Sequence, residues 1–247
     1  MRLPVIQGLI RRRVLVNFRV EAEVMTKYLP DRFRPKLHAG YAIAGICLIR
    51  LEGIRPRWMP AVAGLSSENA AHRIAVLWED ADGQTREGVF IPRRDTSSRM
   101  NHFAGGRLFP GEHHLADFSV IDESPRIDLS VRSRDGTMSV ELRAREADFL
   151  PESSCFESLA ASSSFFEGGS VGYSVTQDCC RLDGIRLETE GWRVRPLAIE
   201  SVESSFFSDE RAFPNGSVVF DHALIMRDHR HRWVGEADLY LEAGEGS

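Results

Sequence analysis

The sequence predicts a mostly β, α+β protein: a curved antiparallel sheet closing into a cone or barrel, with a few covering helices. Three observations predict it. Runs of strand length, apolar or alternating, recur from "RVLVNFRV" (13–20) to "HRWVGEADLYL" (231–241). Several are separated by short polar turns, with Asp135-Gly136 the strongest hairpin signal. Helical stretches are few and short, and no long linker interrupts the chain, so the strands must cover one another. The whole chain, 1–247, reads as one domain, a length ample for a sizeable core.

Each element has its own signal. "RVLVNFRV" alternates, as a strand does. "EAEVMTKYLP" (21–30) puts Val24, Tyr28 and Leu29 on one helical stripe, and Pro30 stops it. "YAIAGICLIRL" (41–51) is a continuous apolar run. "HRIAVLWED" (72–80) and "EGVFIP" (87–92) flank a turn-rich loop and pair as a hairpin. "DTSSRMNHFAGGRL" (95–108) reads as a helix capped by Asp95 or Thr96, with Met100 and Phe103 facing inward. "RIDLSVRS" and "TMSVELRAR" flank Asp135-Gly136 as a second hairpin. "SSCFESLAASSSFF" (153–166) reads as a helix capped by Ser153, with Phe156, Leu159 and Ser163 on one side and glycines at its end. "WRVRPLAIESVESSFF" (192–207) is a long strand interrupted near Pro196, and "SVVFDHALIMR" pairs with "HRWVGEADLYL" about a turn at 228–230.

Composition narrows the function. The net charge of −5 argues against general binding of nucleic acid or anionic membrane, which needs a basic surface. No apolar run approaches the ~20 residues of a membrane span. The first basic cluster follows a short apolar piece, the reverse of a secretory signal, so a cytoplasmic location is expected. Cys47, Cys155, Cys179 and Cys180 form no CxxC pair and read as reduced small hydrophobes. His113, His114, His222, His229 and His231 raise the question of a metal. His229 falls in the expected turn and no carboxylate–histidine spacing completes a ligand set, so neither metal nor cofactor is expected; His222 reads as a strand residue beside the core. Assembly into a homo-oligomer is left open.

The chain has 29 arginines and two lysines, Lys27 and Lys36. Coding bias exchanges Lys for Arg wherever any cation serves. Against that background stands "EGVFIPRR": Glu87, four residues, Pro92, then Arg93-Arg94. It resembles the acetoacetate decarboxylase pattern of Glu, four residues, Pro and two lysines. In that family the first lysine forms a Schiff base with the substrate ketone and the second depresses its pKa. "RRVLVNFRVEAEVMTKYLPDRF" resembles the family's early strand, helix and turn, which places Arg12 at a substrate-carboxylate arginine and Arg19 at another basic position. "SSENAAHRIAVLW", "PRRDTSSRMNHFAGGRLFPGEHH" and "GWRVRPLAIESVE" resemble the YqjF-like uncharacterised branch of the same superfamily. Together these stretches span most of the chain.

The departure from the pattern decides the chemistry. A Schiff base needs a neutral amine with a free lone pair. Guanidinium is delocalised, stays charged and is a very poor nucleophile. Lys27 and Lys36 lie where the resemblance places no amine, so no amine-catalysed decarboxylation is expected. One family carboxylate falls in "YAIAGI", which offers no acid; the other falls between Glu52 and Glu68, with Glu68 favoured because it precedes a strand.

The resemblance therefore implies a sheet-lined interior that binds a small anionic or oxo-organic molecule. Arg12, Arg19, Glu87, Arg93, Arg94 and Trp78 are the candidate binding residues, and Glu68 or Glu52 the candidate catalytic proton carrier. Two other readings stand beside it. One is a hydrolase or isomerase using Glu and a bound water. The other is a non-catalytic structural or interaction protein with a filled interior, in which Arg93-Arg94 cap a strand end in water.

Overall fold

The computed structural model describes residues 4–105, 110–176 and 180–241. In chain order the strands are β1 (Ile6–Glu21), β2 (Arg34–Pro35), β3 (Leu37–His38), β4 (Tyr41–Pro56), β5 (Leu65–Glu79), β6 (Thr85–Thr96), β7 (His113–Glu123), β8 (Arg126–Ser133), β9 (Ser139–Glu146), β10 (Val171–Val175), β11 (Arg181–Thr189), β12 (Arg195–Ser204), β13 (Val218–Gly235) and β14 (Leu239–Tyr240). Three short helices accompany them: α1 (Ala22–Tyr28), α2 (Arg99–Ala104) and α3 (Leu159–Glu167).

All strands belong to one curved sheet, which closes twice. The centre is β13-β1-β4-β5-β6, antiparallel throughout. From β6, strands β7, β8, β9 and β12 lead back to β13 and complete a ring of nine. Strands β10 and β11 join β6 to β13 a second time and close a smaller ring of seven. The two closures share edges: β6 takes β10 at 89–91 and β7 at 94–96, while β13 takes β12 at 223–225 and β11 at 231–235. The β6–β7 and β6–β10 pairings are parallel, so the curved, mostly antiparallel sheet is mixed.

Strand alternation feeds two cores from the central strands. Val14, Val16 and Phe18 of β1 enter a large apolar cluster to which all nine strands of the larger ring contribute. Phe33, Trp78, Phe90 and Tyr173 pack ring against ring within it, and Phe18, Phe206, Phe207 and Phe213 form a second aromatic group. At about 1.5–3 kcal/mol for each fully buried large side chain, this interior is a major source of stability. Leu15 of β1 turns the other way, to a second cluster with Ile43, Cys47, Ile49, Phe156 and Phe166.

The helices are shorter than expected. α1 places Met25, Val24 and Tyr28 against the larger core, with Leu29 just past its end. α2 begins after Ser98, whose Oγ accepts from Asn101 N at 3.2 Å; Asp95 and Thr96 are still in β6. This later start turns the expected stripe outward, so Met100 and Phe103 are exposed. Residues 106–108 of that expected helix, and Cys179, lie outside the described residues. α3 is capped by Ser158, which accepts from Ala161 N at 3.1 Å, rather than by Ser153. Phe156 precedes the helix and is nonetheless buried. The hairpin expected at 228–230 does not form. β13 runs through it, because β1 offers an unbroken antiparallel partner on both sides of Asp228, which takes φ 57° within the strand.

Candidate functional site

The smaller ring encloses a cavity of about 190 Å3. All seven of its strands line it, among them Arg13 on β1, Cys47 and Ile49 on β4, Arg73 on β5 and Arg94 on β6. Gly172 on β10, Leu187 on β11 and Trp233 on β13 complete the wall, and Phe166 and Trp192 cover one end.

Three one-residue irregularities decide which side chains face in. On β6 the register against β5 shifts between Phe90 and Arg93, placing Ile91 and Pro92 as a bulge. Proline has no backbone N–H to lose from a ladder, which suits it to such a place. Because strand alternation has period two, the shift reverses every later side chain. Phe90 stays in the larger core, Ile91 and Arg94 both reach the cavity, and Arg93 points away. On β1 a comparable shift near Arg11 sends Arg13 into the cavity and leaves Arg12 on the opposite face. On β13 the register skips Asp221, which lets Asp221 and its neighbour His222 share a side and hydrogen-bond to each other.

A polar row crosses four strands at the floor of the site. Arg73 pairs with Gly45, Gly45 with Asn17, and Asn17 with His222. The Arg73 guanidinium reaches over β4 at Gly45 and donates to Asn17 Oδ1 at 2.5 Å. A Cβ at Gly45 would lie 2.1 Å from Val16 O. Arginine can only donate, so Asn17 must present its oxygen to Arg73 and its Nδ2 to His222 Nε2, 3.1 Å away. That leaves Nε2 as an acceptor and puts the ring proton on Nδ1, facing Asp221 Oδ2 at 2.6 Å. Ser162 of α3 lies 2.7 Å from the same Nε2. Asp221 also accepts from Cys155 N, Ser154 Oγ and Arg19. Burial pushes its carboxyl up, and these donors more than reverse that, holding it below the ordinary carboxylate range.

The cavity is electropositive. Arg13 donates to Cys47 Sγ at 3.3 Å and lies over the Trp192 ring. Arg73 lies over Phe166, with its Nε buried and without a hydrogen-bond partner. Arg94 donates to Ser174 Oγ at 2.9 Å. Among the described residues none of the three has a carboxylate oxygen within 4.0 Å. Burial pushes the guanidiniums of Arg73 and Arg94 down to about 10 each, still charged at neutral pH. Burial, with Arg94 nearby, depresses His113 to about 3, so that ring is neutral. Of the lining acids, Asp95 is held by Arg93 at 3.0 and 2.9 Å, and Glu167 is exposed.

A protein-family model matches residues 9–222 of the chain, that of DUF2071, "Uncharacterized conserved protein (COG2071)". The chain belongs to the DUF2071 family. Among curated proteins no match was found. Solved structures match over nearly the whole length. An acetoacetate decarboxylase-like enzyme from Sphingomonas wittichii RW1 aligns with a TM-score of 0.60 at 13% identity, covering 96% of this chain and 94% of that one. Acetoacetate decarboxylase from Legionella pneumophila gives 0.57 at 11% identity, over 94% and 87%. The enduracididine biosynthesis enzyme MppR, complexed with pyruvate, gives 0.56 at 11% identity, over 98% and 91%. The fold of this DUF2071 chain is thus that of the acetoacetate decarboxylase-like proteins.

Of the candidate binding and catalytic residues, Arg94 alone lines the cavity, which His113, weighed as a metal ligand, also reaches. Arg93 turns outward from it, bonding Asp95, Thr137 Oγ1 at 2.7 Å and Asp135. Arg12, 3% exposed, donates to Glu68 Oε2 at 2.7 Å and Asp122 Oδ2 at 3.2 Å on the larger-ring face. Burial raises the Glu68 carboxyl, with Arg12 pulling against it. Glu52 pairs with Arg11 at 3.0 Å near the surface. Arg19 bonds Ser153 O and Asp221, and Glu87 pairs with Lys36 at 2.7 Å. Trp78 is buried in the larger core against Phe33 and Tyr173. Sequence reasoning named neither Arg13 nor Arg73 as a binding residue. Arg13 neighbours a residue it chose, and Arg73 is the arginine that follows Glu68 by five residues in "SSENAAHRIAVLW", a stretch read only as a resemblance. The histidines weighed as a metal set are dispersed, and no group of three or more ligating residues is placed to hold a metal among the described residues.

Proposed function

We propose that this DUF2071 protein binds a small organic anion in the cavity of the seven-strand ring, held by Arg13, Arg73 and Arg94. One observation carries the reading: three guanidiniums line one cavity, and among the described residues no carboxylate oxygen lies within 4.0 Å of any of them. Burying unpaired charge is costly, and an incoming anion is the natural compensation. Arginine suits carboxylate through two parallel N–H donors. That MppR was solved with pyruvate agrees with a small anion as ligand for this fold.

The reading is one of binding. Glu68 and Glu52 lie outside the cavity, so no proton transfer is assigned to them. No Schiff-base step is included either. Lys36 lines a neighbouring hollow of about 30 Å3, but its Nζ is engaged by Glu87 at 2.7 Å and lies over the Phe165 ring.

Thermal denaturation against acetate, pyruvate and inorganic phosphate tests the reading. A ligand at a hundred times its Kd should stabilise by ~2.7 kcal/mol. Arg94→Gln should weaken that ligand by about 10- to 100-fold, the loss of a charged hydrogen bond. No stabilisation of the wild-type protein by any of the three, or equal stabilisation of Arg94→Gln, counts against it.

A further inference from the structure

We infer that the anion is a carboxylate with an apolar tail. This rests on the anion reading above and names its ligand class. The cations are confined to one part of the cavity. In the sheet register, Arg94 is level with Cys47 across Ala71, Arg73 is level with Gly45, and Arg13 with Ile49. Beyond them β4 turns aliphatic: its next cavity-lining residues are Leu51 and Ile54. Facing them across the ring are Leu187 and its cross-strand neighbour Trp233. No cation lines the cavity from these farther levels.

Strands advance about 3.3 Å per residue, so Leu51 lies roughly 7 Å along β4 beyond Ile49, the level of Arg13, and roughly 13 Å beyond Cys47, the level of Arg94. The cavity is therefore long enough to separate a charged head from an apolar body. Thr189 lines this end too, but a polyanion or sugar phosphate reaching it would lose hydration to Leu51, Ile54 and Trp233 and recover few hydrogen bonds in return. An alkyl or aryl tail instead removes apolar surface from water on both sides. The space of about 190 Å3 limits the length of that tail.

The test is a titration series on the wild-type protein by isothermal calorimetry: inorganic phosphate, acetate, butanoate, hexanoate and benzoate, with hexylamine as a cation of equal tail. Affinity should rise about three- to fourfold for each added methylene, the ratio expected from its burial, until the cavity is full. Benzoate should exceed acetate, and hexylamine should not bind. Phosphate or acetate binding with no gain across the series leaves the anion reading standing and overturns this one. Hexylamine matching hexanoate overturns it too, since the head would then be irrelevant. If no member binds, both readings fall.

Discussion

Arg93 and Arg94 are consecutive in sequence, yet their guanidiniums serve opposite faces of β6. Arg94 lines the cavity with its Nε on Ser174, while Arg93 holds the buried Asp95. The bulge at Ile91–Pro92 sets which arginine faces in, and the two substitutions should therefore separate cleanly. Arg93→Gln should cost on the order of 3 kcal/mol in urea denaturation, because Asp95 loses its counter-ion in a buried place. Carboxylate affinity measured on the folded fraction should fall less than in Arg94→Gln, because Arg93 acts on the cavity only through the lining Asp95 that it neutralises. A larger loss in Arg93→Gln than in Arg94→Gln would place the wrong arginine in the site.

Asn17→Asp converts the acceptor facing Arg73 into a charged partner. The guanidinium is then neutralised within the protein, and an external anion gains less from it. Calorimetry should show affinity lower by roughly tenfold, the scale of one charged hydrogen bond. Gly45→Ala, in the same row, should destabilise by about 1–3 kcal/mol or more, since its Cβ would meet the Val16 carbonyl. A fully stable Gly45→Ala protein with intact binding would show that the row is not fixed by backbone proximity.

Arg12, Glu68 and Asp122 form a buried group on the larger-ring face, extended by Arg227, which bonds Asp122 at 2.6 and 3.0 Å. Arg12→Leu removes the nearest partner of the half-buried Glu68, while Asp122 keeps Arg227, and should cost about 1–3 kcal/mol by chemical denaturation. Anion affinity at a temperature where the variant is folded should match wild type. A variant of normal stability that no longer binds would return Arg12 to the role its sequence position suggested.

Stability should fall on mild acidification. His72 is buried against Phe206 without a hydrogen-bond partner, and burial lowers it to about 3; His231 is lowered to about 4 for the same reason. Their ordinary value is 6.5, so between pH 6.5 and these values the unfolded chain binds more protons than the folded one. Their contribution is complete above pH 6.5 and is lost as pH falls. Each can add a slope of up to ~1.4 kcal/mol per pH unit. Urea midpoints at pH 7 and 5.5, a window above the ordinary carboxylate range, should differ in wild type and differ less in His72→Phe. Identical pH dependence in both would mean that His72 is hydrated or partnered.

Covalent amine chemistry should be absent. Borohydride reduction in the presence of acetoacetate should leave the protein mass unchanged, because the cavity cations are guanidiniums and Lys36 is engaged by Glu87. A reduced adduct on Lys36 would contradict this.

Much of the architecture is legible in residue patterns. The hairpins at 72–92 and about Asp135-Gly136 follow from alternation and turn chemistry, and the α1 stripe follows from helical spacing. The site is less legible for a physical reason. Alternation assigns faces by parity, and the bulges near Arg11 and at Ile91–Pro92 each reverse parity by one residue. Of Arg11-Arg12-Arg13 the resemblance pointed to Arg12 and the cavity received Arg13; of Arg93-Arg94, both candidates, it received only Arg94. Arg73 lies in a stretch quoted for its resemblance, but its place in the cavity follows from tertiary pairing, with Gly45 beside it and Asn17 on the strand beyond. The failed turn at 228–230 has the same origin: local polarity favoured a break, and the long ladder with β1 overrode it.

The most direct measurement is a crystal structure with para-bromobenzoate, located by the anomalous signal of bromine. The account predicts the carboxylate within hydrogen-bond distance of Arg13, Arg73 or Arg94, and the bromine toward Leu51 and Trp233. A carboxylate bound at Arg12 or Arg93 instead, or a cavity that stays empty at saturating ligand, would contradict it.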